Sequence, residues 1–311
     1  MLFRSEPDPA VPENLLFFTG DFIGNGKALL AVKDENAIRI YRNRGVVLGE
    51  LALDDGWDIA GIGDFNGDGA DDILRVNGEG YVVGEMSDGY GDFSPQVLNF
   101  LGEGWSILGI GDFNGNGSDD VLIANPTGAS STVGLLGYWE SGSAWILING
   151  CSAEWECVAT GDFNGDGKCD MLWRNRFIGD GGGTFNAYCT WIVDPPAGQS
   201  DWRMVSVANP AEWNFLCSGD FDGDKMSDIA MINDEGVVGI WGVADGYLNS
   251  WSILSAVDPS SWALAGVGDF NGDGTEDIAW SSLETGLTGY WQINDKTLTV
   301  WQNIATLKVV S

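Results

Sequence analysis

An all-β fold, a six-bladed β-propeller of four-stranded antiparallel blades, is predicted by three features of the sequence. The tripeptide Gly-Asp-Phe occurs six times, with its aspartate at Asp21, Asp64, Asp112, Asp162, Asp220 and Asp269. The spacing between successive aspartates is close to the length of one blade, about 40–50 residues. Short apolar runs alternate with Gly-, Asn-, Asp- and Ser-rich turns, and no stretch has a helical period. A β-sandwich array is the alternative, but the even spacing and the single motif phase favour radial closure.

The first strand of each repeat is predicted to precede Gly-Asp-Phe. Seven residues before the aspartate stands a tryptophan in five repeats: Trp57, Trp105, Trp155, Trp213 and Trp262. Three residues before it stands a small residue in the same five: Gly61, Gly109, Ala159, Cys217 and Gly266. The first repeat has Asn14 and Phe18 instead. Small side chains suit an innermost strand, where blades crowd toward the axis.

Three further strands follow each Gly-Asp-Phe motif. The second is a short apolar run, as at Asp72-Ile73-Leu74, and the third has the form Gly-x-x-Gly-x-Trp, as at 236–241. The fourth carries Trp145, Trp202, Trp251 or Trp301 in the later repeats. We therefore expect an N-terminal tail at 1–13 and one propeller at 14–311. The last blade is either complete in sequence or joined by the strand 15–19.

The composition excludes several classes of function. The 311 residues carry 46 Asp+Glu against 14 Lys+Arg, a net charge of −32, so a nucleic-acid partner and an anionic membrane surface are disfavoured. There is no histidine, which excludes Ser-His-Asp and Cys-His catalysis. No apolar run approaches the roughly 20 residues of a membrane helix. The first residues contain no apolar signal-peptide segment, which leaves the export route open.

Five cysteines lie in the middle of the chain: Cys151, Cys157, Cys169, Cys189 and Cys217. Because the number is odd, at least one thiol is free or pairs with another molecule. None forms a Cys-x-x-Cys pair, so a zinc site is not expected. One or two local disulfides and a set of buried thiols remain alternatives.

The loop after each Gly-Asp-Phe aspartate predicts a calcium site in five repeats. Counting that aspartate as position 1, side-chain oxygens fall at positions 1, 3, 5 and 9, and position 7 offers its backbone carbonyl. Ca²⁺ takes six to eight hard oxygen ligands in a forgiving geometry, whereas Mg²⁺ demands a stricter octahedron. The expected ligands are Asp64, Asn66, Asp68, Ala70 and Asp72; Asp112, Asn114, Asn116, Ser118 and Asp120; Asp162, Asn164, Asp166, Lys168 and Asp170; Asp220, Asp222, Asp224, Met226 and Asp228; and Asp269, Asn271, Asp273, Thr275 and Asp277.

The first repeat is expected to bind no metal, because Ile23 and Leu29 replace ligands at positions 3 and 9. An EF-hand is rejected, since position 12 is never the bidentate Glu that an EF-hand requires. A single Asp-x-Asn-x-Asp-Gly stretch could be a solvated turn. Five copies in phase, each with the closing aspartate, favour about five Ca²⁺ ions that staple one end of the blades.

These loops resemble the FG-GAP/VCBS repeats of integrin α-subunit propellers, bacterial surface proteins and fungal lectins. The resemblance extends from about Leu15 to Ile304 and is most specific at the Gly-Asp-Phe-Asn-Gly-Asp-Gly stretches. It implies a calcium-binding propeller that acts outside the cell, or at its surface, in adhesion, glycan binding or protein binding. It supports only the five loops residue by residue, and it transfers no ligand-binding residue.

Three functions remain open at this point. A non-catalytic recognition module for glycan or protein explains the repeats and the missing histidine, with the fourth-strand tryptophans as candidates for stacking on sugars. A scaffold of a surface layer, appendage or virion is the alternative. A carboxylate-based polysaccharide-active enzyme is least favoured, because the clustered carboxylates fall in the metal loops. Its best location is the longest repeat, with its insertions at 177–183 and 194–196, which are expected to be flexible turns.

Overall fold

A computed structural model describes residues 16–34, 37–42, 44–126, 134–140, 144–149, 152, 154–178, 183–194, 199–209 and 212–307. Within these residues the protein is all-β, with 24 strands in six four-stranded antiparallel sheets and no helix. The fold is a six-bladed β-propeller, and each sheet is one blade. No helix in the described part of the chain is long and apolar enough to span a membrane.

The blades follow the chain in order. Blades 1 and 2 contain β1 (Leu16–Gly20), β2 (Leu29–Lys33), β3 (Ala37–Arg42), β4 (Val46–Ala52), β5 (Trp57–Gly63), β6 (Asp72–Asn77), β7 (Tyr81–Ser87) and β8 (Phe93–Phe100). Blades 3 and 4 contain β9 (Ser106–Gly111), β10 (Asp120–Asn125), β11 (Leu135–Glu140), β12 (Ala144–Asn149), β13 (Trp155–Gly161), β14 (Asp170–Ile178), β15 (Thr184–Asp194) and β16 (Gln199–Ala208). Blades 5 and 6 contain β17 (Asn214–Gly219), β18 (Asp228–Ile232), β19 (Val237–Ala244), β20 (Tyr247–Ala256), β21 (Trp262–Gly268), β22 (Asp277–Ser282), β23 (Leu287–Asn294) and β24 (Thr297–Thr306).

Every blade is built from one continuous segment, with its strands hydrogen-bonded in sequence order. Strand β1 pairs with β2 in the first blade, and the last blade is complete with β21 to β24. Of the two closures left open by the sequence, the structure therefore shows the one in which the last blade is complete. The metal loops predicted from the sequence lie between the first and second strands of their blades.

The chain divides into two compact units. The first consists mainly of blades 3 to 5, and its core joins neighbouring blades through apolar side chains such as Tyr138, Met171, Trp173 and Trp191. The second consists mainly of blades 1, 2 and 6, with core side chains such as Ile38, Ile40 and Ile73. Burial of these apolar surfaces is the main driving force for assembling sheets of this kind.

The first strand of a blade lies at the sheet edge, and within each unit it packs on the first strand of a neighbouring blade. A Cβ atom added at Gly109 in β9 would come within 2.4 Å of Thr160 Cγ2 in β13, and one at Gly266 within 2.3 Å of Thr19 Cγ2. The expectation that small residues mark a crowded inner strand is confirmed at these positions. Five blades also share a register shift near this small residue, whereas the β1–β2 register of blade 1 is continuous.

Candidate functional site

The first aspartate of each loop holds the loop backbone in shape. In blade 2 the Asp64 carboxylate accepts the N–H groups of Gly67 and Gly69, both at 2.7 Å. The equivalent pairs of bonds are made by Asp112, Asp162 and Asp269. In blade 5, Asp220 accepts the N–H of Lys225, which adopts a φ of +70° where the other loops have glycine. Glycine suits this position because it reaches positive φ without steric cost.

The closing aspartate of each loop is fully buried. Asp72, Asp120, Asp170, Asp228 and Asp277 are each 0% exposed. In blade 2, Asp72 accepts the N–H of Phe65 at 3.1 Å and the N–H of Ser87 from the third strand at 2.8 Å. Burial raises the pKa of Asp72, Asp170 and Asp277 to about 7, although the N–H donors oppose this shift. These carboxylates thus join loop, second strand and third strand.

Positions 3 and 5 are more exposed and bond within the loop. Asp68 accepts the N–H of Ala70 at 2.9 Å, and its own N–H is donated to Asn66 Oδ1 at 2.8 Å. Equivalent bonds from position 7 to position 5 are made by Ser118, Lys168, Met226 and Thr275. The position-2 phenylalanines anchor the loops in the core, since Phe65, Phe113, Phe163, Phe221 and Phe270 are at most 4% exposed.

The loop of blade 5 brings three predicted ligands together. Oxygens of Asp220, Asp222 and Asp224 lie within 4.8 Å of one another, the one such group of three acidic side chains among the described residues. Asp222 also forms an ion pair with Lys296, whose backbone N–H is donated to Phe221 O at 2.8 Å. Lys296 was not identified from the sequence, because it lies 74 residues away in the turn between β23 and β24.

The loop of blade 1 keeps the backbone of the others but lacks two of the predicted ligand side chains. Gly24 and Gly26 have φ of +64° and +76°, and Asp21 Oδ2 accepts the N–H of Gly26 at 2.5 Å. At positions 3 and 9, however, stand the apolar side chains of Ile23 and Leu29.

The loops are also connected to one another by backbone bonds that the sequence did not reveal. The N–H of position 8 is donated to the carbonyl of position 1 in the preceding loop, as from Cys169 to Asp112 at 2.8 Å and from Ser227 to Asp162 at 2.6 Å. Blade 1 takes part too, since Asp71 N–H is donated to Asp21 O at 2.9 Å. We call these the head-to-tail bonds. Backbone groups carry no residue signature, so only the placement of the loops shows these bonds.

A second feature is a pair of tryptophans on each of blades 3 to 6. The tryptophan before Gly-Asp-Phe meets the fourth-strand tryptophan of its own blade, with ring centroids 5.0–5.4 Å apart: Trp105–Trp145, Trp155–Trp202, Trp213–Trp251 and Trp262–Trp301. Three of these tryptophan pairs are edge-to-face, with interplanar angles of 75–87°. Trp155 and Trp213 also pack against cores that join two blades, so they contribute to inter-blade packing.

Glycines of the third strand explain how the fourth-strand rings are seated. A Cβ at Gly239 would lie 2.2 Å from Trp251 Cη2, and one at Gly137 would lie 2.5 Å from Trp145 Cη2. The indole therefore lies directly against the backbone of the neighbouring strand. In blade 4 this ring stacks instead on Trp191, with centroids 4.9 Å apart. Trp145, Trp202 and Trp251 remain 39%, 45% and 43% exposed, whereas Trp301 is partly buried like the tryptophans before Gly-Asp-Phe.

Two further sequence expectations concern blade 4. Cys157, Cys169 and Cys189 are free thiols, while Cys151 lies outside the described residues. The insertion at 177–183 is not simply a flexible turn, because β14 continues through Phe177 to Ile178 and Phe177 stacks on Phe185 of β15. Residues 179–182 and 195–198 lie outside the described residues, so the expected turns there are not tested.

Comparison with known proteins identifies the repeats. A family model for FG-GAP-like repeats matches residues 112–173 and 220–280, which contain the loops of blades 3, 4, 5 and 6. The chain therefore contains FG-GAP-like repeats. A search of curated proteins gives no match.

Two solved structures of fungal proteins are similar to this fold. A lectin of Agrocybe aegerita, described as recognising non-reducing terminal N-acetylglucosamine, gives a TM-score of 0.58 at 14% identity and covers 94% of this chain and 80% of its own. AofleA of Arthrobotrys oligospora gives a TM-score of 0.57 at 11% identity and covers 96% of this chain and 88% of its own. At these identities the likeness concerns the fold.

Proposed function

We propose that this protein is a non-catalytic, calcium-binding propeller that recognises glycans outside the cell through its tryptophan pairs. The observation that carries the proposal is the repeated presentation of a partly exposed indole on the outer strands of blades 3 to 5, where it lies against a third-strand glycine in blades 3 and 5 and against Trp191 in blade 4. A fixed aromatic surface can stack on the apolar face of a pyranose ring with little loss of side-chain entropy.

The geometry of the tryptophan pairs suits this role. In the Trp213–Trp251 pair the angle between the two ring planes is 87°, so the edge of one indole borders the ring of the other. A sugar stacked on Trp251 would be bounded on one side by Trp213 and would leave its hydroxyls free for polar groups. The same arrangement in several blades offers several equivalent sites, which raises avidity for clustered glycans. The two similar fungal structures, one of which is described as a sugar-recognising lectin, support the proposal at the level of the fold.

The donor chemistry of the five loops supports the calcium part of the proposal. Each loop offers hard oxygens, and in blade 5 three carboxylates already converge. A carboxylate oxygen that accepts one N–H keeps a further lone pair, so the bonds described above do not prevent ligation. A divalent cation beside the buried closing aspartates would also favour their charged form. Calcium here would pin the loops rather than contact the glycan, since the tryptophans belong to other parts of the blades.

The test is a glycan array that includes terminal N-acetylglucosamine, run on the calcium-loaded protein and on the variants Trp251→Ala and Tyr90→Ala. Tyr90 is 85% exposed and belongs to no tryptophan pair, so it serves as the matched control. We expect binding to a defined sugar, lowered about tenfold per site by Trp251→Ala and unchanged by Tyr90→Ala. A folded, calcium-loaded protein that binds no glycan would overturn the proposal and favour a protein-binding scaffold.

A further inference from the structure

We propose that the degenerate loop of blade 1 forms a binding site for a small organic carboxylate with an apolar body. A cavity of about 460 Å³ is lined by Ile23, Asn25, Lys27, Ala28, Leu29, Arg42 and Phe270. Its volume lies in the range of small-molecule sites, about 300–1,000 Å³. The site is separate from the tryptophan pairs and does not depend on the proposed glycan binding.

The residues that distinguish this loop from the others are the ones that line the cavity. Ile23 and Leu29 occupy the positions where the other five loops place a carboxylate or an amide. Lys27 at position 7, which the blade 4 loop matches with Lys168, adds a cation to the same lining. Positions 3 and 9, which carry side-chain oxygens in the other loops, thus offer apolar surface here beside a lysine, the complement of an amphipathic anion.

The two cations remain available to a ligand. Lys27 Nζ donates one hydrogen bond to Asn271 O at 2.7 Å, which positions the ammonium group and leaves two of its three N–H donors. Arg42 is exposed, and no ion pair to it is found within the described residues. Its planar guanidinium can hold a carboxylate through two parallel hydrogen bonds. Asp21, the acidic side chain of this loop, is turned into the loop, where its Oδ2 accepts the N–H of Gly26.

Six of the seven lining residues come from a segment that is much less acidic than the rest of the chain. Residues 16–52 contain five of the 14 Lys+Arg and only four of the 46 Asp+Glu. The remaining chain is strongly acidic and would repel anions. The apolar lining residues restrict which anions fit the cavity. Ile23, Leu29 and Phe270 offer no hydrogen-bonding side chain to the hydroxyls of a sugar. An aromatic or branched aliphatic carboxylate fits both features better than an inorganic anion.

The experiment is an NMR titration of the full, calcium-loaded chain with 3-phenylpropionate and with its neutral amide, following the backbone amides of residues 23–29. We expect roughly millimolar binding of the acid and about tenfold weaker binding of the amide. Arg42→Gln and Lys27→Met should each weaken binding of the acid about tenfold. Arg44→Gln is the matched control, because Arg44 is an exposed arginine nearby that does not line the cavity, and it should leave binding unchanged.

Equal affinity for the acid and the amide would overturn the inference, and so would an equal loss in Arg42→Gln and Arg44→Gln or a titration without shifts at these amides. Glycan binding by the same samples is measured in parallel. Because the tryptophan pairs lie outside this cavity, loss of one activity with retention of the other shows which of the two proposals has failed.

Discussion

The loops of blade 1 and blade 2 share a conformation but differ in chemistry. Both place glycines at positive φ in positions 4 and 6, and in both the first aspartate accepts the N–H of position 6. They differ at position 9, where Asp72 is a buried carboxylate and Leu29 an apolar side chain. The turn is therefore set by the first aspartate and two glycines, while cation chemistry depends on positions that the turn does not need. Loss of metal binding need not cost the fold of a loop.

The head-to-tail bonds link the stability of the blade 1 loop to that of its two neighbouring loops. The loop of blade 1 accepts a bond from Asp71 and donates one from Ala28 to Asp269 O at 2.8 Å, so it is held between two loops that we propose bind calcium. These backbone bonds hold the loop of blade 1 in place, so it does not require a cation of its own. Calcium bound elsewhere would still restrain it through these bonds.

The largest expected effect comes from removing all calcium. With calcium about a hundredfold above the Kd of each of five sites, binding would stabilise the folded state by about 2.7 kcal/mol per site and about 13 kcal/mol in total, so chelation should lower the Tm by more than about 10 °C. The measurement is a calorimetric melt in calcium and in EGTA. An unchanged Tm would mean that calcium in the loops does not stabilise the fold. The proposed difference between blade 1 and the other blades would then be wrong.

A smaller effect is expected from a single site. Asp228→Asn keeps an oxygen for the N–H of Val243, now 2.8 Å from Asp228 Oδ1, but removes the charge that a cation requires. We expect a loss of about 2–3 kcal/mol in calcium and a much smaller loss in EGTA, measured by urea unfolding.

Leu29→Ala is the matched change in blade 1. It removes packing atoms from a half-buried side chain and should cost about 1–3 kcal/mol whether or not calcium is present. If instead its cost depended on calcium as strongly as that of Asp228→Asn, the distinction between the two kinds of loop would be wrong.

The smallest effect concerns the thiols. Cys169 is buried at position 8 of the blade 4 loop, its N–H bonded to Asp112 O, and burial raises the pKa of its thiol well above the usual value. Burial also raises the pKa of the Cys189 thiol, to about 11, in the third strand away from the loops. Iodoacetamide labelling followed by mass spectrometry should be slow at both, and EGTA should accelerate labelling of Cys169 by about tenfold more than that of Cys189. Equal acceleration would indicate global rather than loop-centred loosening.

Much of this architecture was predictable because the same residue types recur at equivalent positions of the repeats. The six Gly-Asp-Phe motifs give the number of blades, and the apolar runs after them give the strand order. The glycine at 109 or 266 marks a close approach that leaves no room for a side chain. In each case one residue type meets one steric or turn requirement, so the pattern can be interpreted without coordinates.

The remaining features depend on contacts between segments that are distant in sequence. The sequence located both tryptophans of the Trp213–Trp251 pair but not their contact, which requires two indoles to reach toward each other across a four-stranded sheet. The ion pair from Lys296 to Asp222 joins a turn to a loop with no shared motif. The cavity beside Leu29 arises from the departure of one repeat from the pattern, and a search for repeats discards such departures.

Calcium stoichiometry tests the central claim, that five loops bind calcium and the first does not, most directly. The protein, Asp228→Asn and Leu29→Ala are each dialysed to equilibrium against calcium, and bound metal is counted per folded chain by elemental mass spectrometry. The account predicts five ions for the unaltered protein, four for Asp228→Asn and five for Leu29→Ala. A protein that retains no calcium, or the same loss of one ion in both variants, would contradict it.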